Sequence, residues 1–388
     1  MAKFERRLAS ILQAEGSQFP AVLVTGPRQS GKTTLLRQLL PHAAWVELDD
    51  PRTLVLAGTD PQSLLSSDGQ TVVVDEIQYA PDLLRYCKLQ IDRDRERKLQ
   101  FAITGSQVFS LMANVSESLA GRAAVYELYP LSWLELGTFS DPWTVKGVAQ
   151  QMVRGFYPEA VTTRAPTRWA SSYMMTYVER DIRSIQQIHD LKAFLQWLQL
   201  LAARAGQLLN LSQTGRDVGV SEATIRQWCG LLEASYLVKF IQPWHVNLDK
   251  RVVKSPKVCF LDTGLLCYLL GINSEEELLR HPSLGHIFEC MVMSEAIKRL
   301  SWEANPGRLY FTRMQDETEV DLILHRGDRL LGYEIKWTRT PQGSDASGLM
   351  RLGKDLGLER CQVLCNQVEP IQLTSSVKAT HWMDMDLS

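Results

Sequence analysis

Residues 26–33 decide the fold of the first part of this chain, with the sequence Gly26-Pro27-Arg28-Gln29-Ser30-Gly31-Lys32-Thr33. The stretch fits G-x-x-x-x-G-K-[ST], in which glycines let backbone N–H groups face phosphate oxygens at a helix N-terminus. Before it, Ala21–Thr25 is an apolar, β-branched run typical of a buried strand. After it, Thr33–Leu40 has helix-forming composition. Strand, loop and helix in this order predict a nucleotide-binding P-loop.

The motif assigns roles to its residues. We expect Lys32 to contact the β- and γ-phosphates and the Thr33 hydroxyl to bind Mg²⁺. The expected cofactors are therefore ATP and Mg²⁺. The predicted nucleotide-binding residues of the loop are Gly26, Pro27, Arg28, Gln29, Ser30, Gly31, Lys32, Thr33 and Thr34.

Two acids follow a second apolar run, Thr71–Val74. A carboxylate at the C-terminal end of a parallel strand lies where α/β folds bind ligands. We expect Asp75 to hold Mg²⁺ and Glu76 to orient or deprotonate the attacking water. The alternative is that the two acids cap a helix. Glu76 favours hydrolysis over nucleotide storage.

A third predicted strand, Leu99–Ile103, leads into polar residues. A small polar side chain here would touch the γ-phosphate or the attacking water, the role called sensor 1. Ser106 is the first choice, with Thr104 and Gln107 as competitors. A helix N-cap is the structural alternative.

Arg122 directly precedes another predicted strand. An arginine there could stabilise transition-state charge on the ATP of a neighbouring subunit. This interpretation predicts a homo-oligomer with composite sites. The alternative is a surface ion pair.

The composition is that of a globular protein of two or three domains, with 388 residues, 45% hydrophobic and 22% charged. We find no signal-peptide core and no apolar window long enough to span a membrane. The seven cysteines lack C-x-x-C spacing, which favours reduced thiols in the cytoplasm over structural zinc. The net charge is −2, but residues 161–257 hold 13 Lys/Arg against 7 Asp/Glu, a local excess that would suit phosphate contact.

The pattern changes along the chain. Residues 1–141 alternate short strands with amphipathic helices, as a parallel α/β sheet requires. Residues 142–257 are mainly helical, and Leu209–Trp244 reads as a winged helix-turn-helix in which Ser221 caps a helix to about Ala234. In a DNA reader, the residues facing the groove would be Glu222, Thr224, Arg226 and Gln227. The same element could equally be a lid or a protein-contact module.

A second group of charged residues lies near the C-terminus. Glu289 is placed on an amphipathic helix, Asp321 at the start of a strand, and Glu334 and Lys336 on one face of its hairpin partner. Three carboxylates from different elements could converge on one or two Mg²⁺ ions. Lys336 would then polarise water or neutralise developing phosphate charge.

Taken in order, these motifs resemble a family of prokaryotic AAA-superfamily ATPases with a PD-(D/E)xK nuclease-like C-terminal domain. The matching segments are Gly26–Thr34, Val72–Gln78, Thr104–Gln107, Gly121-Arg122, Arg154–Glu159, Tyr177–Asp181, Lys254–Lys257, Asp262–Leu265, Gly285–Glu289, Asp321 and Glu334–Lys336. The resemblance implies an AAA-type ATPase core over 1–141, a helical lid and winged helix over 142–257, and an α/β restriction-endonuclease-like domain over 258–388. Arg154-Gly155 departs from a usual Gly-Gly pair, and Val320 replaces the motif's proline.

Two functions are consistent with this pattern. In the first, an ATP-hydrolysing enzyme processes DNA, with branched DNA such as a Holliday junction suggested by similarity to junction resolvases. In the second, an ATP-dependent switch or remodeller acts on protein partners, and the C-terminal domain binds without cleaving.

Overall fold

A computed structural model of the chain describes residues 4–67, 69–106, 118–177, 190–244 and 255–388. The chain divides into two compact units. Unit 1 comprises Met1–Leu131 with Ala234–Tyr236, and unit 2 comprises Ser132–Glu233 with Leu237–Ser388. The predicted division into three segments, with boundaries after residues 141 and 257, stays a prediction.

Unit 1 is built on a five-stranded, fully parallel sheet in the order β2-β3-β4-β1-β5. Its strands are β1 Ala21–Thr25, β2 Ala44–Glu47, β3 Val72–Asp75, β4 Phe101–Gly105 and β5 Ala123–Glu127. Its described helices are α1 Arg7–Glu15, α2 Lys32–Leu39, α3 Pro51–Thr59, α4 Pro61–Leu64 and α5 Leu83–Arg93.

Both faces of the central strands are covered, which explains their continuous apolar sequences. Successive residues of a strand point to opposite faces. Leu23 of β1 therefore packs in one core cluster with Cys87 of α5, and Val24 in another with Leu12 of α1 and Leu35 of α2. This is the arrangement expected of a parallel sheet between two helical layers.

The strand order places β4 between β1 and β3. All strands run in the same direction, so the P-loop after β1, the acids after β3 and the polar residues after β4 lie at one edge of the sheet. The strand predicted at Leu99–Ile103 begins two residues later, because Leu99 has a φ of 49° and its N–H donates to the carbonyl oxygen of Phe19.

Unit 2 contains a mixed eight-stranded sheet in the order β12-β13-β11-β10-β9-β8-β6-β7. Its strands are β6 Val238–Pro243, β7 Lys257–Phe260, β8 Arg308–Arg313, β9 Glu319–Arg326, β10 Arg329–Ile335, β11 Arg360–Cys365, β12 Ile371–Gln372 and β13 Val377–His381. Its described helices are α6 Trp133–Leu136, α7 Val145–Arg154, α8 Pro158–Thr162, α9 Pro166–Tyr177, α10 Leu191–Ala203, α11 Leu211–Val218, α12 Glu222–Ala234 (whose last residue is counted with unit 1), α13 Thr263–Leu269, α14 Glu275–Arg280, α15 Leu284–Leu300 and α16 Ser347–Leu356.

The helix predicted after Ser221 is confirmed as α12, and the Thr224 backbone N–H donates to the Ser221 hydroxyl at 3.1 Å, as in an N-cap. Gly219, at a φ of 74°, ends α11. Within the segment predicted as a winged helix-turn-helix, β6 begins at Val238, two residues after Tyr236, which has a left-handed φ of 58°.

The predicted hairpin near the C-terminus is confirmed: β9 and β10 pair antiparallel, and Glu289 lies on α15. Leu349 and Leu352 of α16 pack against Val320 and Ile323 of β9.

The chain thus combines a parallel P-loop sheet, a helical middle region and a mixed C-terminal sheet. All seven cysteines are free thiols. Of the helices that the structure describes, none combines the length and apolarity needed to cross a membrane.

Two glycines of α16 provide a matched test of this packing. A Cβ at Gly348 would lie 1.9 Å from the carbonyl oxygen of Glu319, whereas a Cβ at Gly353 would meet the Cys361 sulfur at an ordinary 3.4 Å. We predict that Gly348→Ala lowers the free energy of unfolding of unit 2 by about 1–3 kcal/mol through overpacking. Gly353→Ala should be neutral or stabilising by up to about 1 kcal/mol, since alanine favours a helix. Thermal and urea unfolding measure both, and equal effects would contradict the close approach of α16 to β9.

Candidate functional site

The P-loop follows β1 in a conformation that demands glycine at two positions. Gly26 has a φ of 143°, and a Cβ there would lie 2.2 Å from the carbonyl oxygen of Leu128. Gly31 has a φ of 97° and is the N-cap of α2. Ser30 and Lys32 are buried, Arg28 is half-buried, and Gln29 and Thr34 are exposed. The backbone thus turns sharply into a helix N-terminus, where N–H groups favour anions.

The ammonium group of Lys32 is hydrogen-bonded to the backbone of the P-loop. Its Nζ donates to the carbonyl oxygens of Gly26 and Pro27, both at 2.9 Å. Both acceptors are neutral, so a phosphate oxygen would be the stronger partner for this charge. This geometry suits the predicted phosphate contact.

The side chains of Asp75 and Thr33 are in contact, as expected of two residues that share one Mg²⁺ site. The Thr33 hydroxyl lies 3.0 Å from each Asp75 carboxylate oxygen, and the Thr104 hydroxyl donates to Asp75 Oδ1 at 2.5 Å. Burial raises the pKa of Asp75, while the hydrogen bonds from Thr104 and Thr33 oppose that rise. A hydroxyl and a carboxylate side by side are hard oxygen ligands for Mg²⁺.

Glu76 has a φ of 58°, and its backbone N–H donates to the Thr104 hydroxyl at 2.9 Å, whereas its carboxylate belongs to a second polar group. The Gln78 amide donates to the Glu76 carboxylate and to the Ser106 hydroxyl, the latter at 3.1 Å. Ser106 thus lies beside the predicted catalytic acid, while Thr104 serves Asp75. The third sensor candidate, Gln107, lies outside the described residues.

Gln78 and Arg6 are two residues near the P-loop that had no predicted role. Gln78 joins Glu76 to Ser106, and its signal was a polar residue two positions after the acidic pair. Arg6 donates to the carbonyl oxygens of Ser30, at 2.7 Å, and Tyr129, at 2.6 Å. It therefore supports the P-loop from the N-terminal segment, and no local motif pointed to it.

A tyrosine from the 234–236 segment reaches the last residue of β1, directly before the P-loop. The Tyr236 hydroxyl lies 2.9 Å from Thr25 Oγ1 and donates to Glu127 Oε1 at 3.1 Å. Tyr129 donates to the other Glu127 oxygen at 2.8 Å. Thr25 is the last residue of β1, so this cluster supports the base of the P-loop.

Arg122 lies immediately before β5, and its carbonyl oxygen accepts the backbone N–H of Ala21, the first residue of β1, at 3.1 Å. Its guanidinium makes two hydrogen bonds to Asp92, at 2.8 and 3.0 Å. These contacts lower the pKa of Asp92, mainly through the hydrogen bond. Arg122 therefore lies at the N-terminal end of β1, whereas the P-loop of its own chain follows the C-terminal end of that strand. The role itself stays a prediction.

In unit 2, the four charged residues predicted near the C-terminus line one pocket of about 630 Å³. Lys336 Nζ lies 2.6 Å from Glu334 Oε1 and 3.9 Å from Asp321 Oδ2, while Glu289 reaches the pocket from α15. Burial, followed by the charge of Asp321, raises the pKa of Glu334 to about 8. Its Oε2 atom has no hydrogen-bond partner among the described residues.

Two further charged residues of this pocket, Lys257 and Glu319, lie close to these carboxylates. Lys257 of β7 is 2% exposed, and its ammonium contacts Glu289 Oε1 at 2.6 Å, Asp321 Oδ1 at 3.3 Å and Glu319 Oε1. Glu289, Glu319 and Asp321 present oxygens within 4.8 Å of one another, close enough to share one cation. Neither Glu319 nor Lys257 had a predicted role. Lys257 was noted only as the end of a segment, Lys254–Lys257, that resembles the ATPase family, and Glu319 precedes Asp321 by two residues.

The protonation states follow from this crowding. Burial raises the pKa of Glu289, with Lys257 acting against it. Burial alone would also raise the pKa of Asp321, but the charges of Lys257 and Lys336 hold it below its usual value. His286 lies 3.5 Å from Glu289 Oε2, and that contact raises the histidine pKa. The negative charges of the buried acids in this pocket are therefore offset by the positive charges of Lys257 and Lys336.

Three segments match known family models. Residues 18–137 match an AAA domain. Residues 145–276 match a domain of unknown function, DUF8612, and residues 284–385 match another, DUF4143. The first segment contains the P-loop, and the last contains Glu289, Asp321 and Glu334.

The chain also has relatives that match over most of its length. The uncharacterized protein Rv2008c of Mycobacterium tuberculosis is 33% identical over 342 residues, covering 87% of this chain and 75% of that protein. The uncharacterized protein Mb2031c of Mycobacterium bovis matches equally. Among solved structures, the Walker-type ATPase PABY2304 of Pyrococcus abyssi superposes with a TM-score of 0.48 and 16% identity, over 69% of this chain and 96% of its own. The chain therefore belongs to one family with the two mycobacterial proteins, and it is an AAA-type P-loop ATPase with two further domains of unknown function.

Proposed function

We propose that this ATPase is a DNA-processing enzyme in which unit 1 hydrolyses ATP and unit 2 cleaves phosphodiester bonds with a divalent metal ion. In this proposal α11, α12 and the β6–β7 pair form a winged helix. The elements around β9 and β10 form a restriction-endonuclease-like domain. Branched DNA, such as a Holliday junction, is the proposed substrate.

The ATPase step uses the polar groups at the edge of the parallel sheet. Lys32 binds the phosphates, and Thr33 and Asp75 hold Mg²⁺. Glu76 orients the attacking water. Ser106 is held close to the Glu76 carboxylate by a hydrogen bond from Gln78. The position of these residues at one edge of the parallel sheet supports the roles proposed for them.

One observation carries the cleavage proposal: Glu334 Oε2 is buried without a hydrogen-bond partner among the described residues, in a pocket that other acids line. A buried, unpaired acceptor is costly, and a cation removes the cost. Asp321 and Glu334 would hold the metal. Glu289, the third predicted ligand, lies with Glu319 beside the ammonium group of Lys257 in the same pocket. When bound, a divalent ion lowers the pKa of a water ligand and stabilises negative charge on phosphate.

Positive residues near the carboxylates support a phosphate-bearing substrate. Lys336 is 38% exposed at its side chain, so a substrate can reach it. The carboxylates of Asp321 and Glu334 raise its pKa against the effect of burial, so the ammonium keeps its charge. Arg313 and Arg351 line the same pocket, and in this structure they pair with Glu319 and Asp316. These arginines offer phosphate contacts once a polyanion competes for them.

The ATPase roles can be separated by two substitutions. We predict that Lys32→Ala weakens nucleotide binding, while Glu76→Gln keeps binding and loses about 10²–10⁴-fold in turnover, since it removes the base. Lys98→Ala, at an exposed lysine of unit 1, is the control and should change neither. Nucleotide titration and phosphate release measure the two effects. A loss of only a few-fold in Glu76→Gln would contradict its assignment.

The role of Arg122 can be separated from its ion pair. We predict that Arg122→Ala lowers ATPase turnover by about 10³-fold or more, as for an arginine finger. Asp92→Ala breaks the same pair but should cost little. Mixing Arg122→Ala with Lys32→Ala subunits should restore some activity through mixed interfaces. Equal losses in Arg122→Ala and Asp92→Ala, or a fully active monomer, would make Arg122 a structural residue.

Cleavage is tested with linear, forked and four-way DNA in Mg²⁺ or Mn²⁺, with and without ATP. We predict that Asp321→Ala or Lys336→Ala abolishes cutting and leaves ATPase activity nearly intact. Asp328→Asn, at the exposed β9–β10 turn, is a charge-matched control that should cut normally. If the unaltered protein never nicks any of these DNAs, unit 2 is a binding module and the protein is a switch acting on partners.

A further inference from the structure

Lys257 has the surroundings of a bound metal ion. Its ammonium lies among Glu289, Glu319 and Asp321, and its side chain is 2% exposed. An ammonium group has three N–H donors. Here it donates to Glu289 and Asp321 and forms an ion pair with Glu319. The same three acids present oxygens within 4.8 Å of one another. One cation position of the pocket is therefore already filled by the chain itself.

A metal ion cannot share this position with the lysine. A divalent cation would lie about 2.0–2.6 Å from each carboxylate oxygen. The Lys257 Nζ is at hydrogen-bond distance from those oxygens, so the two positive charges would be in contact. Repulsion between buried charges is strong, because little water screens them. Lys257 must leave, or the metal must bind elsewhere.

A second position exists on the Glu334 side of the pocket. Glu334 Oε1 accepts from Lys336, whereas Oε2 has no partner among the described residues. Asp321 spans the two positions: its Oδ1 accepts from Lys257, and its Oδ2 accepts the backbone N–H of Ile335 at 2.9 Å. Each Asp321 oxygen keeps a lone pair for a further cation.

We propose that Lys257 is a built-in cation that occupies one of two cation positions, so that the pocket binds a single divalent ion, at Glu334 and Asp321. The inference rests on the proposed metal-dependent function and adds the number and place of the ions. Lys257 is a positioning residue here, because it fixes Glu289 and Asp321 rather than contacting the substrate.

Counting bound Mn²⁺ tests this directly. Equilibrium dialysis uses the full chain without nucleotide, carrying Asp75→Asn to silence the P-loop site. We expect one Mn²⁺ per chain. Glu334→Gln should lose that ion, whereas the matched Glu319→Gln should keep it, because Glu319 serves Lys257. Loss of the ion in Glu319→Gln with retention in Glu334→Gln would overturn the proposal.

Substituting the lysine provides an independent count. Lys257→Met should free the first position and raise the count from one to two, with a larger Mn²⁺-induced rise in melting temperature than in the parent. Lys257→Arg keeps the charge and should stay at one. A count of one in both the parent and Lys257→Met overturns the role of Lys257 but leaves metal-dependent cleavage standing. Two ions in the parent also overturn it, and none in either protein contradicts the metal site altogether.

Should Lys257→Met fail to fold, the Glu334→Gln and Glu319→Gln pair still decides the matter.

Discussion

The ammonium group of Lys257 lies among Glu289, Glu319 and Asp321 where water has little access. Like charges this close repel, so the acids can remain ionised together only beside positive charge. The cation comes from β7, one acid from α15 and two from β9, whose residues 319 and 321 share a strand face. Charge pairing and the packing of these three elements therefore depend on each other.

A buried carboxylate in unit 1 is likewise stabilised by nearby donors, which are hydroxyl groups rather than a lysine. Asp75 is buried at the end of β3, and hydroxyls from Thr33 and Thr104 donate to it. Parallel strands bring these groups to one edge, where the P-loop already offers backbone N–H groups. Tyr236 supports the base of the loop through Thr25, although it lies far away in sequence. Both pockets thus hold buried carboxylates beside hydrogen-bond donors, which are lysine ammonium groups in unit 2 and hydroxyls in unit 1.

Local sequence was enough to predict whatever depended on local chemistry. The P-loop, the strand before it, the helix after Ser221 and the β9–β10 hairpin could be read from motif, composition and period. The alternation of β10 placed Glu334 and Lys336 on one face, and they do form an ion pair.

Long-range contacts could not be predicted in this way. Lys257 is 32 residues from Glu289 and 64 from Asp321, so its ion pairs depend on the sheet order rather than on any motif. Arg6 reaches Tyr129 across 123 residues for the same reason.

The most direct test of the proposed cation positions in unit 2 is the anomalous scattering of a Mn²⁺-soaked, nucleotide-free crystal. The account predicts one peak in unit 2, bound to Glu334 and Asp321, with Lys257 still paired to Glu289. A peak centred between Glu289 and Glu319 with Lys257 displaced, or no peak in unit 2, would contradict it.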